Sequence, residues 1–342
     1  MIEIAPLSSE RYPEWDAFVL RHPEGSVFHT TKWKTAIEKA FHHRSCYLCA
    51  IREGAICGLI PLFQLKSILF GNVLSSVPFA AYGGILAEDQ ETFSLLLKQT
   101  KLIAAGLKVD YVEFKFLQPK DTSLPESDTY FTFIQQIQPD SESNYNSIPR
   151  KQRRMIRVGI KSGLKPIFGN EYVVPFYEIL AANFARLGTP VFGRNWFEIL
   201  LETFEENIKL MVIEHEGKII SGVLTFYHSD TVLPYYAASI PEYRALAPND
   251  FQYWELMKEA GERGYRFFDF GRSKKGTGSF DFKRHWGFEP TPLHYQFHLR
   301  RSQQLPELHP MNPKFKWKIE LWKKLPLPFT KIIGPRIVKN IP

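Results

Sequence analysis

The side chains best equipped for chemistry crowd into positions 269–288. A strand is expected to end at Phe270, and a glycine-rich loop follows with the cations Arg272, Lys274 and Lys275 in it. Gly276 and Gly278 let backbone N–H groups come close to an anion, and the three cations add charge. Next comes Ser279-Phe280-Asp281-Phe282-Lys283, with Trp286 and Phe288 after it, so that aromatics frame Lys283. A tight β-turn with lysines lying along the surface is the plain alternative. So many glycines and aromatics together weigh towards a functional loop.

Other candidates are thinner. Gly83 and Gly84 bare the backbone beside Tyr82, which suits either close approach of a ligand or a β-bulge. Arg150, Arg153, Arg154, Arg157 and Lys161 share one face of an expected helix. Such a stripe grips phosphates or is a solvated connector. His29 and Trp33 stand four apart: packing is the ordinary fate of Trp33, while His29 at a helix start is placed to face a cleft. Cys46 and Cys49 fall on a strand and point to opposite faces, so they cannot chelate a metal. No HExxH, GxSxG or Walker A sequence is present, and no metal site is expected.

The elements that must position these residues come in two sets. Val27-Phe28-His29-Thr30-Thr31-Lys32-Trp33 precedes a helix, as does Val191-Phe192-Gly193-Arg194-Asn195-Trp196. Residues 47–60 form an apolar run, a Glu-Gly turn and a second apolar run; residues 210–224 repeat it. A helix at 93–107 leads into a strand at 109–114, and a helix at 251–263 leads into one at 265–270. The matches keep their order, which marks an internal duplication. The plan is α/β with mixed sheets, not alternating βαβ. Domain limits are read as 1–139, a basic connecting helix at 140–163, 164–300, and a tail at 301–342.

The chain has 342 residues, 44% hydrophobic and 23% charged, which is a globular composition. Its net charge of +7 is local: beyond residue 299 there are ten basic residues and two acidic ones, so the rest sums to −1. The tail mixes those cations with Phe315, Trp317, Leu321 and Trp322, which suits an anionic membrane surface or a solvated helix packed on the body. Prolines at 326, 328 and 335 are expected to keep helices there short. The uncharged run 67–87 is broken by glycines, Asn72 and Pro78, which reads as strands and turns. The N-terminus lacks a signal-peptide pattern, so the expected compartment is the cytoplasm, with peripheral contact to the inner membrane through 314–339.

Across residues 10–300 the chain resembles the FemAB-type transferases, built as tandem GNAT-like domains. More narrowly, it resembles the FemAB-related proteins of exosortase/PEP-CTERM and exopolysaccharide systems. Carriers of the resemblance include Phe28 to Trp33, Tyr82-Gly83-Gly84, Pro248-Asn249-Asp250, Asp269-Phe270-Gly271-Arg272-Ser273 and Phe282-Lys283 through Phe288. It implies transfer of an activated acyl or aminoacyl group onto an amine of a cell-envelope or exopolysaccharide precursor. The donor would be a co-substrate, aminoacyl-tRNA or acyl-CoA, with no bound cofactor; the acceptor would be a small or lipid-linked saccharide or peptide. The family's Phe-Lys element falls on Phe282-Lys283, and its cleft implicates Tyr82. On that basis Lys283, with a backbone N–H of Gly278 or Ser279, is expected to stabilise the oxyanion. Asp269 and Asp281 are the nearest carboxylates for the amine proton. His29, Trp33, Gly83, Arg154, Asn249, Arg272, Lys274, Lys275 and Gly276 would bind substrate. The chain shows neither a long helical arm in its second half nor the Gln/Arg-x-x-Gly-x-Gly loop of ordinary acetyl-CoA enzymes. A CoA-dependent N-acyltransferase on a sugar amine and a non-catalytic binding module are the alternatives.

Overall fold

The computed structural model describes residues 1–68, 70–121, 123–301, 304–306 and 313–342; for 313–316 only the backbone is described. The chain forms two compact units, each with a sheet and packed helices.

The duplication is visible in backbone detail. Leu48–Arg52 turns through Glu53 and Gly54 into Ala55–Ile60, and Ile208–His215 turns through Glu216 and Gly217 into Lys218–His228. The turn residues have φ of 52° and 85° in one hairpin, and 50° and 76° in the other. Two successive positive φ values make a type I′ turn, whose twist matches that of the strands and which favours glycine second. Both hairpins also shift register at the matching step, Ala50/Ile51 and Ile213/Glu214. Each first strand carries an antiparallel neighbour, Ile2–Pro6 or Lys165–Phe168. Each half then sends a helix, Gln90–Gly106 or Pro248–Glu262, into a strand, Tyr111–Phe116 or Phe267–Asp269.

The units do not end where the sequence suggests. Residues 131–139 belong to the second unit and 292–306 to the first. Ile134–Gln136 lies antiparallel to Phe267–Asp269, while His294–Leu299 lies antiparallel to Tyr111–Phe116. Each half therefore lends its last strand to the other's sheet, so limits at 139 and 300 cut through both units.

The expected connecting helix is a packed element of the second unit. Arg150–Lys161 turns Gln152, Ile156 and Gly159 inward, and Ile148 and Ile156 join the core with Phe251, Trp254 and Phe270. Its exposed cations are Arg150, Lys151, Arg154, Arg157 and Lys161. Arg153 does not share that face: it lies over the Tyr145 ring and donates to Asn146 Oδ1 at 3.2 Å.

Helices Pro313–Lys323 and Leu327–Val338 close the described chain. Pro326 precedes the second helix and Pro328 sits in its first turn, where a missing N–H costs little. Pro335 lies inside that helix without ending it, so the prolines limit these helices less than expected. Lys314, Phe315 and Lys316 have side chains outside the described residues.

Gly159 tests the helix packing. A Cβ there would lie 2.6 Å from Phe251 Cβ, closer than real contacts. Gly159→Ala gains about 1 kcal/mol of helix propensity, but forcing the helices apart costs about 1–3 kcal/mol. The expected outcome is a lower urea midpoint with unchanged slope; a raised midpoint would show that the helices separate freely.

Candidate active site

In the second unit Thr231–Ser239 runs parallel to Phe267–Asp269, yet only Thr231↔Phe267 and Val232↔Phe268 pair. Beyond that the second strand peels away. Phe270 N donates to Phe133 O, and Gly271, at φ 67°, donates its N–H to Asp269 Oδ1 at 2.7 Å. From Leu233 onwards, one edge of Thr231–Ser239 has no strand partner among the described residues. A parallel pair that splays like this opens a slot lined with backbone donors and acceptors.

The first unit has the same parallel pair, with its slot filled. Gly71–Ser75 pairs with Tyr111–Phe116, and Leu86–Ala87 resumes pairing with Ala55–Ile60. Residues 76–85 are looped out between those strands. Ser76 N donates to Glu113 O and Gly83 N to Lys115 O, both at 2.8 Å. Val77 and Phe79 take left-handed φ of 68° and 62°, a strained state for a β-branched or bulky residue. Gly83 thus forms an isolated antiparallel bridge with Lys115, and Tyr82 packs edge-on against Phe28.

Lys283, on the helix Gly278–His285, reaches the turn at Gly271 where the two strands part. Its Nζ donates to Gly271 O at 2.8 Å and to Arg272 O at 3.3 Å, and lies 5.6 Å from the centre of the Phe133 ring. An ammonium has three protons, so one remains without a described acceptor. Burial is the main cause that lowers its pKa to about 7; the Asp269 charge pulls the other way and Arg272 adds to the lowering. Asp269 is fully buried and also accepts from Thr132 Oγ1 at 2.9 Å. Arg272 is half-buried, and its charge is felt by Tyr235 and Tyr236, whose hydroxyls burial holds well above the usual range. Tyr236 OH accepts from Trp196 Nε1 at 3.1 Å.

Helix Gly278–His285 is anchored at both ends. Thr277 Oγ1 accepts from Phe280 N at its start. At its end Trp286 Nε1 donates to Asp250 Oδ1 at 3.2 Å, and Gln152 Nε2 donates to the same oxygen at 3.0 Å. Phe282 packs on Tyr253, Phe270 and Trp286.

The structure brings Lys283, Asp269, Arg272 and Phe282 together and leaves others apart. Asp281 pairs with Arg284 at 3.5 Å on the surface and makes no described contact with Lys283, so its nearness in sequence does not make it a neighbour. Lys274 to Thr277 form a tight turn with Gly276 at φ 80°, the conformation expected of the plain alternative. Within it Lys275 is exposed, and Lys274 is half-buried with its pKa lowered by desolvation and no described partner for its Nζ. Gly278 and Ser279 are exposed in the helix's first turn; Ser279 Oγ donates to Ser273 Oγ. Asn249 is exposed, and Asp250 beside it is the buried member of that motif. In the first unit, His29 is buried with Nδ1 2.8 Å from Ser26 Oγ, and Trp33 is fully buried against Phe28. His29 lies in the short turn Val27–His29 and Trp33 on the helix Thr31–Phe41, and both side chains are turned into the core.

Sequence reasoning passed over Tyr235, Tyr236, Thr132 and Phe133. All four reach the site through strand pairing between distant segments. The only local signal was the adjacent tyrosines in an apolar strand.

A family model described as an acetyltransferase (GNAT) domain matches residues 144–284, which contain the open slot and Lys283. The lipid II:glycine glycyltransferase of Staphylococcus haemolyticus (strain JCSC1435) is 28% identical over 419 aligned positions, covering 91% of this chain and 97% of the relative. The alignment is longer than this chain, so the relative carries segments that this chain lacks. Among solved structures, FemX matches with a TM-score of 0.69 and 18% identity, covering 92% of this chain and 99% of its own. A tandem GNAT protein from the clavulanic acid biosynthesis pathway matches with a TM-score of 0.54 and 12% identity, covering 87% and 97%. The architecture is that of tandem GNAT proteins.

Burying Lys283 has a pH signature. Its pKa is about 7 folded, against an ordinary 10.5. Between those values the unfolded chain holds a proton that the folded chain lacks, so this group makes stability rise with pH across the window. Below about pH 7 the full cost of the buried charge is present. Lys283→Met is expected to be the more stable protein at pH 7 and to lose that part of the rise up to pH 10. Urea titrations at several pH values check it; parallel wild-type and variant profiles would contradict it.

Proposed function

We propose that this chain, a FemAB-type protein carrying a GNAT domain, is an acyltransferase that moves an activated acyl or aminoacyl group onto an amine of a cell-envelope precursor. One observation carries the reading: a strand edge loses its strand partner where the chain turns at Gly271, and that turn holds a buried ammonium with one proton that has no described acceptor. The edge of Thr231–Ser239 holds an extended donor by backbone hydrogen bonds. The acceptor nitrogen then attacks the donor carbonyl, forming a C–N bond, and the ester C–O or thioester C–S bond breaks as the tetrahedral intermediate collapses. Lys283 donates its third proton as a hydrogen bond to the developing oxyanion. Its ammonium is already desolvated and fixed by two carbonyls, so little reorganisation accompanies the reaction. Asp269, buried and accepting from Gly271 N and Thr132 Oγ1, positions the Gly271 turn and Lys283 rather than taking the amine proton. The proton lost by nitrogen leaves with the departing group or to water.

Lipid II in the relative's name supports a lipid-linked acceptor; we infer that the work is done peripherally at the inner membrane from the cytoplasmic side. The glycyl transfer in that name supports an aminoacyl donor, and we infer aminoacyl-tRNA as its carrier. The second reading, a CoA-dependent N-acyltransferase, draws on the open edge, because an extended thioester arm with amide groups suits it, and on the GNAT match. An acceptor from an exopolysaccharide precursor fits either donor. Supplying purified protein with charged tRNA or acyl-CoA and following the release of free tRNA or CoA separates them. No turnover of either donor with any amine would favour a non-catalytic binding role.

Lys283→Met is expected to slow single-turnover transfer about 100–1,000-fold, the usual loss for one oxyanion donor, with donor binding little changed. Wild-type transfer is expected to fall as pH rises through about 7, as the ammonium deprotonates. A rate that climbs through that pH would instead make neutral Lys283 a base.

A further inference from the structure

We propose that the two C-terminal helices form a docking face for an anionic phospholipid bilayer. This deepens the membrane part of the preceding reading, but it rests on the helices alone. Both are apolar on two sides. Inward, Ile319 packs over Gly188, and Trp322, Thr330 and Val338 are buried. Outward, Trp317 is 63% exposed and Leu321 55%, four residues apart on one helix. On the other, Phe329 is 58% exposed, Ile332 60% and Ile333 38%, at spacings of three and four. Five of the thirteen large exposed apolar side chains among the described residues fall within these 17 positions. The inner face already secures the helices to the body, so the outer one is left over after folding.

Charge selects the occupant. Residues 313–338 contain seven cations and one acid, Glu320. Lys323 is held by Glu320 at 2.8 Å and Lys331 by Glu178 at 2.6 Å, and Lys318 lies over the Trp317 ring. Cations around an apolar stripe that includes tryptophan match the headgroup zone of an anionic bilayer, where the side chains enter the acyl boundary and the ammonium groups meet phosphates. The helices have 11 and 12 residues, far short of the ~20 needed to span a membrane, and no helix among the described residues is long and apolar enough to cross one. They would lie in the interface.

The test uses the full chain and vesicles, with no donor or acceptor, so its failure is separate from failure of the transfer reading. Wild type is expected to co-sediment with phosphatidylglycerol-containing vesicles and to stay in solution with pure phosphatidylcholine. Phe329→Ser with Ile332→Ser is expected to weaken binding about tenfold or more at an unchanged thermal midpoint; Lys318→Gln with Lys324→Gln should weaken it and reduce its salt dependence. Brominated lipid should quench part of the tryptophan fluorescence, and Trp317→Phe should remove that part. The proposal is overturned if wild type ignores anionic vesicles, or if the double-serine variant binds like wild type. It is equally overturned if sedimentation velocity shows the face occupied by a second copy of the chain while vesicles go unbound.

Discussion

The second unit depends on how it accommodates one charge. Lys283 carries its ammonium into a site where an unpartnered ion would be strongly destabilised. Two backbone carbonyls, those of Gly271 and Arg272, take the place of water. For these to face inward, the chain must turn sharply after Phe270, which Gly271 allows at φ 67° and Asp269 secures by accepting its N–H. The same turn pulls the chain off the edge of Thr231–Ser239. The slot and the ammonium beside it are therefore consequences of one local arrangement.

The first unit shows what the fold does without that arrangement. Strand Tyr111–Phe116 carries Glu113 where its counterpart carries Asp269, and a buried lysine is again close, Lys115, 3.4 Å from Glu113. Here the lysine comes from the strand itself and donates to Val77 O at 3.2 Å. It fastens the looped-out residues 76–85 over the place that is open in the other copy. The left-handed Val77 and Phe79 cost roughly 1–3 kcal/mol each, and hydrogen bonds to a charged group, worth about 1.5–3 kcal/mol, offset part of that. A buried carboxylate and a buried lysine thus accompany a closed slot in one copy and an open one in the other.

What the sequence made legible was local. The hairpins were readable because Glu-Gly turns sit between apolar runs, and the structure repeats them down to the register shift. The stretch after Phe270 was readable because its glycines and cations are contiguous. What stayed hidden depends on distant pairing. Ile134–Gln136 is three residues long and carries no pattern, yet it brings Phe133 under Lys283 and Thr132 to Asp269. The helix Arg150–Lys161 looked like a linker because its charges outnumber the rest. Its inward residues Gln152, Ile156 and Gly159 were spaced at three and four, but two of them are not hydrophobic. Asp281 misled for the opposite reason: two residues from Lys283 on a helix, it points elsewhere.

Asp250 explains why the basic helix matters to the site although its arginines point away from the core. One carboxylate oxygen takes N–H bonds from Gln152 on Arg150–Lys161 and from Trp286 at the end of the Lys283 helix, while Asp250 belongs to Pro248–Glu262. Burial raises its pKa and these two bonds lower it, so the carboxylate is costly alone and tolerable only with both partners. Loss of either leaves a buried polar group unsatisfied, so one carboxylate couples the helix Arg150–Lys161, the helix Pro248–Glu262 and the end of the helix that carries Lys283.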